Sequence, residues 1–249
     1  MSPGSGKSSS PTERGTHVST LGIIGAGSMG RTIALLAMRA GIDVVLSNSR
    51  GAESLAGLAR ALGPLARTGT VDDAAHSGDW VLLPIPFSAF RRIDPEPLKG
   101  RIIIETANYY PGYSDPEPEL DGGTATSSSL MQRHFPSSRV VKAFNTIYTE
   151  HLKKLSRPGG ATDRSALPIA GDDPVAVDSV AGFIDQIGFD VVKVGDLAQS
   201  WRFEPGSPAF VTPYQVRPDV HFTQDPGAVA QADAIRHAIA AAQQRNGRP

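Results

Sequence analysis

Three glycines, Gly25, Gly27 and Gly30, stand at the spacing G-x-G-x-x-G. Residues of this type at this spacing suit a backbone turn wrapped on a phosphate. The first glycine permits the tight turn, the second lets backbone approach a pyrophosphate, and the third lets helix and strand pack closely. A helix starting near Ser28 then offers unpaired N–H groups and a positive dipole end to the same anion. The triplet carries weight only between a strand and a helix. Leu21, Ile23 and Ile24 precede it as an apolar run suited to a strand buried on both faces. Met29, Ile33, Leu36, Ala37 and Ala40 follow on one helical face until Gly41, and Asp43 to Leu46 opens a second strand. The unit is βαβ, and dinucleotide binding is the chemistry it predicts.

The end of the second strand bears on which dinucleotide. NAD sites place an Asp or Glu there, about 20 residues after the glycines, to hold the ribose hydroxyls. From Val44 to Ser49 this chain reads VVLSNS, with Arg50 next and no acid. An acid would repel a 2′-phosphate, whereas the planar fork of Arg50 grips one. Ser47, Asn48 and Ser49 add neutral donors. The reading that competes is Arg50 as the solvated cap of the next helix; the charge favours NADP.

The elements that position these residues alternate along the chain. Helical patterns run over Gly51 to Leu62, Val71 to His76, Thr126 to Phe135 and Tyr148 to Leu155, and a further one opens at Asp172 or Asp173 with Pro174 and stops at Gly188. Strand patterns run over Ala66 to Thr70, from Asp79 to Pro84, and over Arg101 to Glu105, Arg139 to Ala143, Ala166 to Ala170 and Phe189 to Val194. A last helix is expected from Asp225 and Pro226, with the stripe Ala228, Ala232, Ile235, Ile239 and Ala242 packed on the domain or on a second copy in a homodimer. Strands alternating with helices predict an α/β protein of Rossmann type, a doubly wound and mostly parallel sheet. Ligands of such sheets bind outside the carboxyl ends of the strands. That rule adds the loops Pro84–Phe87, with Pro84, Ile85 and Pro86, then Glu105–Tyr110 and Phe144–Tyr148. Asn108, Asn145 and Thr146 there suit hydrogen bonds to a carboxamide or planar ring, and Phe144, Tyr109, Tyr110 and Tyr148 suit the walls of a flat pocket. Each has a plainer reading as turn former or core. Lys142 either reaches into this space or snorkels to its rim.

Composition narrows the classes. Among 249 residues, 24 Lys plus Arg balance 25 Asp plus Glu, and no basic block suggests nucleic acid. Zero cysteines exclude disulfides, thiolate metal sites and cysteine nucleophiles. The histidines are scattered, and no metal-ligand or Ser–His–acid spacing occurs. No apolar run is long enough for a membrane span, so a cytoplasmic protein is the default. The opening MSPGSGKSSSPTERGTH is compositionally a disordered tail. Its GSGKS lacks the preceding strand of a phosphate loop.

Six segments together carry a family resemblance: IIGAGSMG (23–30), LSNSRG (46–51), ETANYYP (105–111), VVKAFNTIY (140–148), IAGDD (169–173) and QIGFD (186–190). Over roughly Leu21 to Pro208 the chain resembles the NADP oxidoreductases that use the deazaflavin coenzyme F420. The resemblance implies hydride transfer between NADPH and a flat redox partner, in a cleft between the nucleotide domain and a smaller C-terminal part. It places Gly27, Ser28 and Met29 on the pyrophosphate, Ser49 and Arg50 on the 2′-phosphate, and Pro86 and Ala143 beside the nicotinamide. The expected layout is a tail (1–17), an NADP-binding Rossmann domain (18–145), a smaller α/β part (146–204), and an irregular segment with a C-terminal helix (205–249). Two other readings remain open. One is an NADPH-dependent reductase of a carbonyl, imine, flavin or chelated metal; the other is a non-enzymatic NADPH sensor.

Overall fold

The computed structural model describes residues 18–243, and the predicted tail, 1–17, lies outside them. Eight strands form one sheet: β1 (Thr20–Ile24), β2 (Asp43–Ser47), β3 (Ala66–Thr68), β4 (Trp80–Leu83), β5 (Ile102–Glu105), β6 (Arg139–Lys142), β7 (Ala166–Gly171) and β8 (Asp190–Gly195). Their order is β3-β2-β1-β4-β5-β6-β7-β8. Strand order reverses between β1 and β4, the switch point at which such sheets bind ligands.

The central strands are apolar on both sides because both sides are covered. Leu82, Ile104 and Val141 face a core shared with Ile33 and Leu36 of α1 (Ser28–Arg39), Leu152 of α6 (Thr149–Leu155), and Val180 and Phe183 of α7 (Pro174–Gln186). Their chain neighbours Val81, Ile103 and Val140 point the other way. There they meet Ala74 and Ala75 of α3 (Val71–Ser77) and Leu130 and Met131 of α5 (Ser127–His134). Caps fix where the helices begin. Thr70 and Asp73 form a reciprocal box at α3, and the Asp173 carboxylate accepts from the Ala176 N–H at 2.7 Å at α7.

Four expectations change in detail. β7 pairs with β6 antiparallel, through Val141 with Gly171 and Lys142 with Ala170, so the sheet is parallel except at this seam. Residues 52–62 form a short 3-10 turn followed by α2 (Ala56–Leu62) instead of one helix. The long loop after β5 holds the single turn α4 (Pro118–Asp121). The last helix, α8, spans Ala232–Ala241 and so starts well after Pro226. The Asp225 carboxylate caps no helix; it accepts from the N–H groups of Val216 at 3.0 Å, Arg217 at 2.8 Å and Gly227 at 2.8 Å. Beyond it the Ala228 N–H is taken by Tyr214 O and the Ala230 carbonyl by the Ala166 N–H, leaving neither for a helical ladder.

Candidate functional site

The glycine turn lies between β1 and α1, and each glycine has a distinct local reason. Gly25 has φ +126, which side chains rarely adopt, and its N–H donates to Ser47 O at 2.9 Å, tying the turn to β2. A Cβ on Gly30 would lie 2.2 Å from the Gly25 carbonyl oxygen, so close packing of helix on turn requires its absence. A Cβ on Gly27 would meet nothing within 4 Å. The turn is thus filled at Gly30 and open at Gly27, where a ligand phosphate would need the room. Gly27 occupies the N-cap of α1 with no side-chain cap and no acid in the first turn, so the N–H groups near Ser28 and Met29 have no competing anion.

At the end of β2, Asn48 shapes the turn with its side chain. Its Oδ1 accepts from the Arg50 N–H at 2.8 Å, and its Nδ2 donates to Ser54 Oγ at 2.9 Å. Ser49 and Arg50 are exposed. The Arg50 guanidinium makes no hydrogen bond or ion pair among the described residues. Across the switch point, Pro84 and Ile85 lean on the glycines: Ile85 Cγ2 would come 2.9 Å from a Cβ on Gly25, and Pro84 Cγ 3.1 Å from one on Gly30. Pro86 follows, exposed.

The loops after β5 and β6 are locked together. Asn108 Nδ2 donates to Asn145 O at 3.0 Å, and Asn145 Nδ2 donates to Asn108 Oδ1 at 3.1 Å and to Phe203 O at 2.9 Å. Ala143, Phe144, Asn145 and Thr146 are all buried. Phe144 holds φ +63, a strained conformation for a bulky residue, and its ring faces Phe183 across 6.4 Å inside the core. Asn108 is half-buried at the surface of this pair of loops, while Phe144 lies wholly in the core. Tyr109 is also buried, its hydroxyl donating to Asp121 Oδ1 at 2.8 Å; Tyr110 is exposed, and Tyr148 packs against Phe222.

Lys142 neither reaches into the cleft nor snorkels. It is fully buried, and its ammonium donates to Glu105 Oε1 at 2.9 Å, to Ala107 O at 2.8 Å and to Ser127 Oγ at 3.2 Å. Glu105 also accepts from the Ala107 N–H at 2.8 Å and from the Ser128 hydroxyl. Ser127 completes the set by donating its N–H and hydroxyl to Glu204, at 3.1 and 2.7 Å. Glu105, Ser127, Ser128 and Glu204 were not among the candidates. A signal existed: IIIE and RVVK each end an apolar strand with a charge, and Glu105 and Lys142 are register partners.

A separate cavity of about 810 Å³ lies between α5 and residues 198–208, bordered by Gln132, Arg133, Trp201 and Ser207. The glycine turn does not line it. No group of His, Cys, Asp and Glu suited to a metal occurs among the described residues, and none of their helices is long and apolar enough to cross a membrane.

An open glycine turn at the switch point of a mostly parallel sheet, with a free arginine beyond β2, defines a Rossmann-type dinucleotide-binding protein. Residues 20–109 match the model of the family described as NADP oxidoreductase, coenzyme F420-dependent. The family resemblance seen in the residues therefore stands. The chain is 28% identical to the hypothetical protein SMa0349 of Sinorhizobium meliloti, whose crystal structure matches with TM-score 0.67 over 78% of this chain and 93% of that one. A crystal structure from Arthrobacter sp. FB24, of a proposed F420-dependent NADP reductase, matches at 22% identity and TM-score 0.61, over 74% of this chain and 87% of that one. The protein YjhV of Escherichia coli (strain K12) is 40% identical over 53 residues, which span 21% of this chain and 39% of YjhV.

Proposed function

We propose that this chain is an NADP(H)-dependent oxidoreductase whose second substrate is a flat redox partner, the deazaflavin coenzyme F420 being the candidate the family description names. The observation that carries the cofactor reading is the pairing of unfilled space at Gly27 with the unpaired guanidinium of Arg50. Backbone donors near Ser28 and Met29 meet the pyrophosphate there. Ser49 and Arg50 hold the 2′-phosphate, with Asn48 fixing the turn that presents them. Pro84, Ile85, Pro86 and Ala143 set the apolar floor for the nicotinamide, and the amides of Asn108 and Asn145 hold the adjoining loops at a fixed spacing. When bound, NADPH supplies a hydride, carrying two electrons, to an acceptor that takes its balancing proton from solvent. The absence of a catalytic acid–base pair in these loops suits that chemistry: alignment and exclusion of water are what the protein contributes.

Arg50→Ala tests the reading. It is expected to weaken NADPH by about 1.5–3 kcal/mol, the worth of a charge-assisted hydrogen bond, with NADH almost unchanged. Calorimetric titration with both nucleotides checks this, and equal weakening of the two would remove the NADP assignment.

A further inference from the structure

Arg31 carries its charge near the unfavourable end of α1. Its N–H donates to Gly27 O at 3.0 Å, so it closes the first turn of the helix. Peptide dipoles make that end positive, which disfavours a cation, and the first turn holds no acid to offset it. Arg39, in the last turn of the same helix, shows the favourable placement.

Helical side chains lean toward the N-terminus, and that of Arg31 folds back onto the glycine turn. Its Nε donates at 2.9 Å to the carbonyl of Ala26, the residue between Gly25 and Gly27. This bond uses the innermost nitrogen of the guanidinium and ties the fork beside the turn. Neither terminal nitrogen makes a hydrogen bond or ion pair among the described residues, and Arg31 is exposed. The side chain does not fill the turn, since a Cβ on Gly27 would meet nothing within 4 Å. An unneutralised cation is thus tethered next to open space and backbone donors.

Charge balance calls for such a group. A helix end supplies about half a positive charge, whereas the pyrophosphate of a dinucleotide carries a negative charge on each phosphate. Arg50, beyond β2, is engaged by the 2′-phosphate in the function proposed above. We propose that Arg31 is a second phosphate-binding residue of this site, its terminal nitrogens joining the backbone donors near Ser28 and Met29 on the pyrophosphate. A planar fork with two free nitrogens matches phosphate oxygens. The inference rests on the cofactor reading and divides the labour within it: Arg50 distinguishes NADP from NAD, and Arg31 holds the part they share.

The test is calorimetric titration of wild-type protein, Arg31→Ala, Arg31→Gln and Arg50→Ala with NADP+ and with adenosine 2′-monophosphate, which lacks the pyrophosphate. Arg31→Ala is expected to weaken NADP+ at least about tenfold, in the range of a charge-assisted hydrogen bond, and to leave the monophosphate unchanged. Arg50→Ala should weaken both ligands. Gln places an amide nitrogen where Arg31 has Nε, so Arg31→Gln can keep the bond to Ala26 O while losing the charge. It should bind NADP+ as poorly as Arg31→Ala, and added salt should narrow its gap from wild type. Wild-type NADP+ affinity in Arg31→Gln alone would assign the residue to shaping the turn and overturn the proposal. Unchanged NADP+ affinity in both Arg31 variants would overturn it too, with the Arg50 result still deciding the NADP reading. A parallel loss of the monophosphate in Arg31→Ala would move the residue to the 2′-phosphate, against the proposal. If the wild-type protein binds neither ligand, the proposal and the NADP reading fall together.

Discussion

Between Gly25 and Gly30 the chain leaves space and unpaired donors, whereas between Glu105 and Lys142 it leaves neither. The glycine turn is a piece of backbone whose shape comes from missing side chains, and it is complete within six residues. The strand ends of β5 and β6 are held by side chains drawn from positions 105, 127, 128, 142 and 204, all buried. On the proposed function, one region receives a ligand and the other holds still behind it. A receiving surface fails when an atom is added; a supporting network fails when a charge is removed.

Removing a charge gives the largest expected effect. Lys142→Met leaves the Glu105 carboxylate buried without its cation, and breaking a buried pair costs about 3–5 kcal/mol. Urea denaturation measures it, and the double variant Lys142→Met with Glu105→Met should recover most of the loss. A cost below about 1 kcal/mol, the value of exposed pairs, would mean that water reaches this network and the contrast is false.

Adding an atom separates the two ends of the glycine turn. Gly30→Ala drives a methyl group into backbone and should cost about 1–3 kcal/mol. Gly27→Val meets open space, so its expected cost is under about 1 kcal/mol, the preference for Gly over Val at an N-cap. The same variant should lose NADPH altogether, since its side chain fills the pyrophosphate's place. Thermal unfolding paired with nucleotide titration distinguishes these outcomes; a Gly27→Val protein that still bound NADPH would move the cofactor away from the turn.

An effect no larger than that of Gly30→Ala belongs to the link between the loops. Asn108→Ala removes two hydrogen bonds while Asn145 Nδ2 keeps its bond to Phe203 O at 2.9 Å. The expected cost is about 0.5–1.5 kcal/mol per bond, read as a modest fall in Tm.

Legibility in the sequence follows the same division. The βαβ unit was plain because its information is local: apolar periods, a glycine triplet and a stop at Gly41. The cap at Asp173 was equally local; Thr70, expected as the end of a strand, instead caps α3, since the strand stops at Thr68. The direction of β7 was not legible, since LPIA reads the same whether its neighbour runs with it or against it. The late start of α8 was hidden too, because Asp225 followed by proline looks like a cap until Val216 and Arg217 are seen to claim its carboxylate. Lys142 shows the limit most clearly. Its charge in an apolar strand was visible, but Ser127 and Glu204 are reached only through the fold.

Glu204 also bears on the order in which this molecule becomes whole. Strands β1 to β6 and every proposed dinucleotide contact lie in the first 143 residues of the chain. Synthesis runs from the N-terminus, and early segments fold as they emerge. Yet the Ser127 N–H finds its acceptor only in residue 204, and the Asn145 amide finds one of its acceptors only in residue 203. A fragment ending at residue 145 would hold the nucleotide-binding strands with two buried polar groups short of their partners. The last quarter of the chain therefore supplies acceptors that two buried groups near its middle, on Ser127 and Asn145, lack until it has been made.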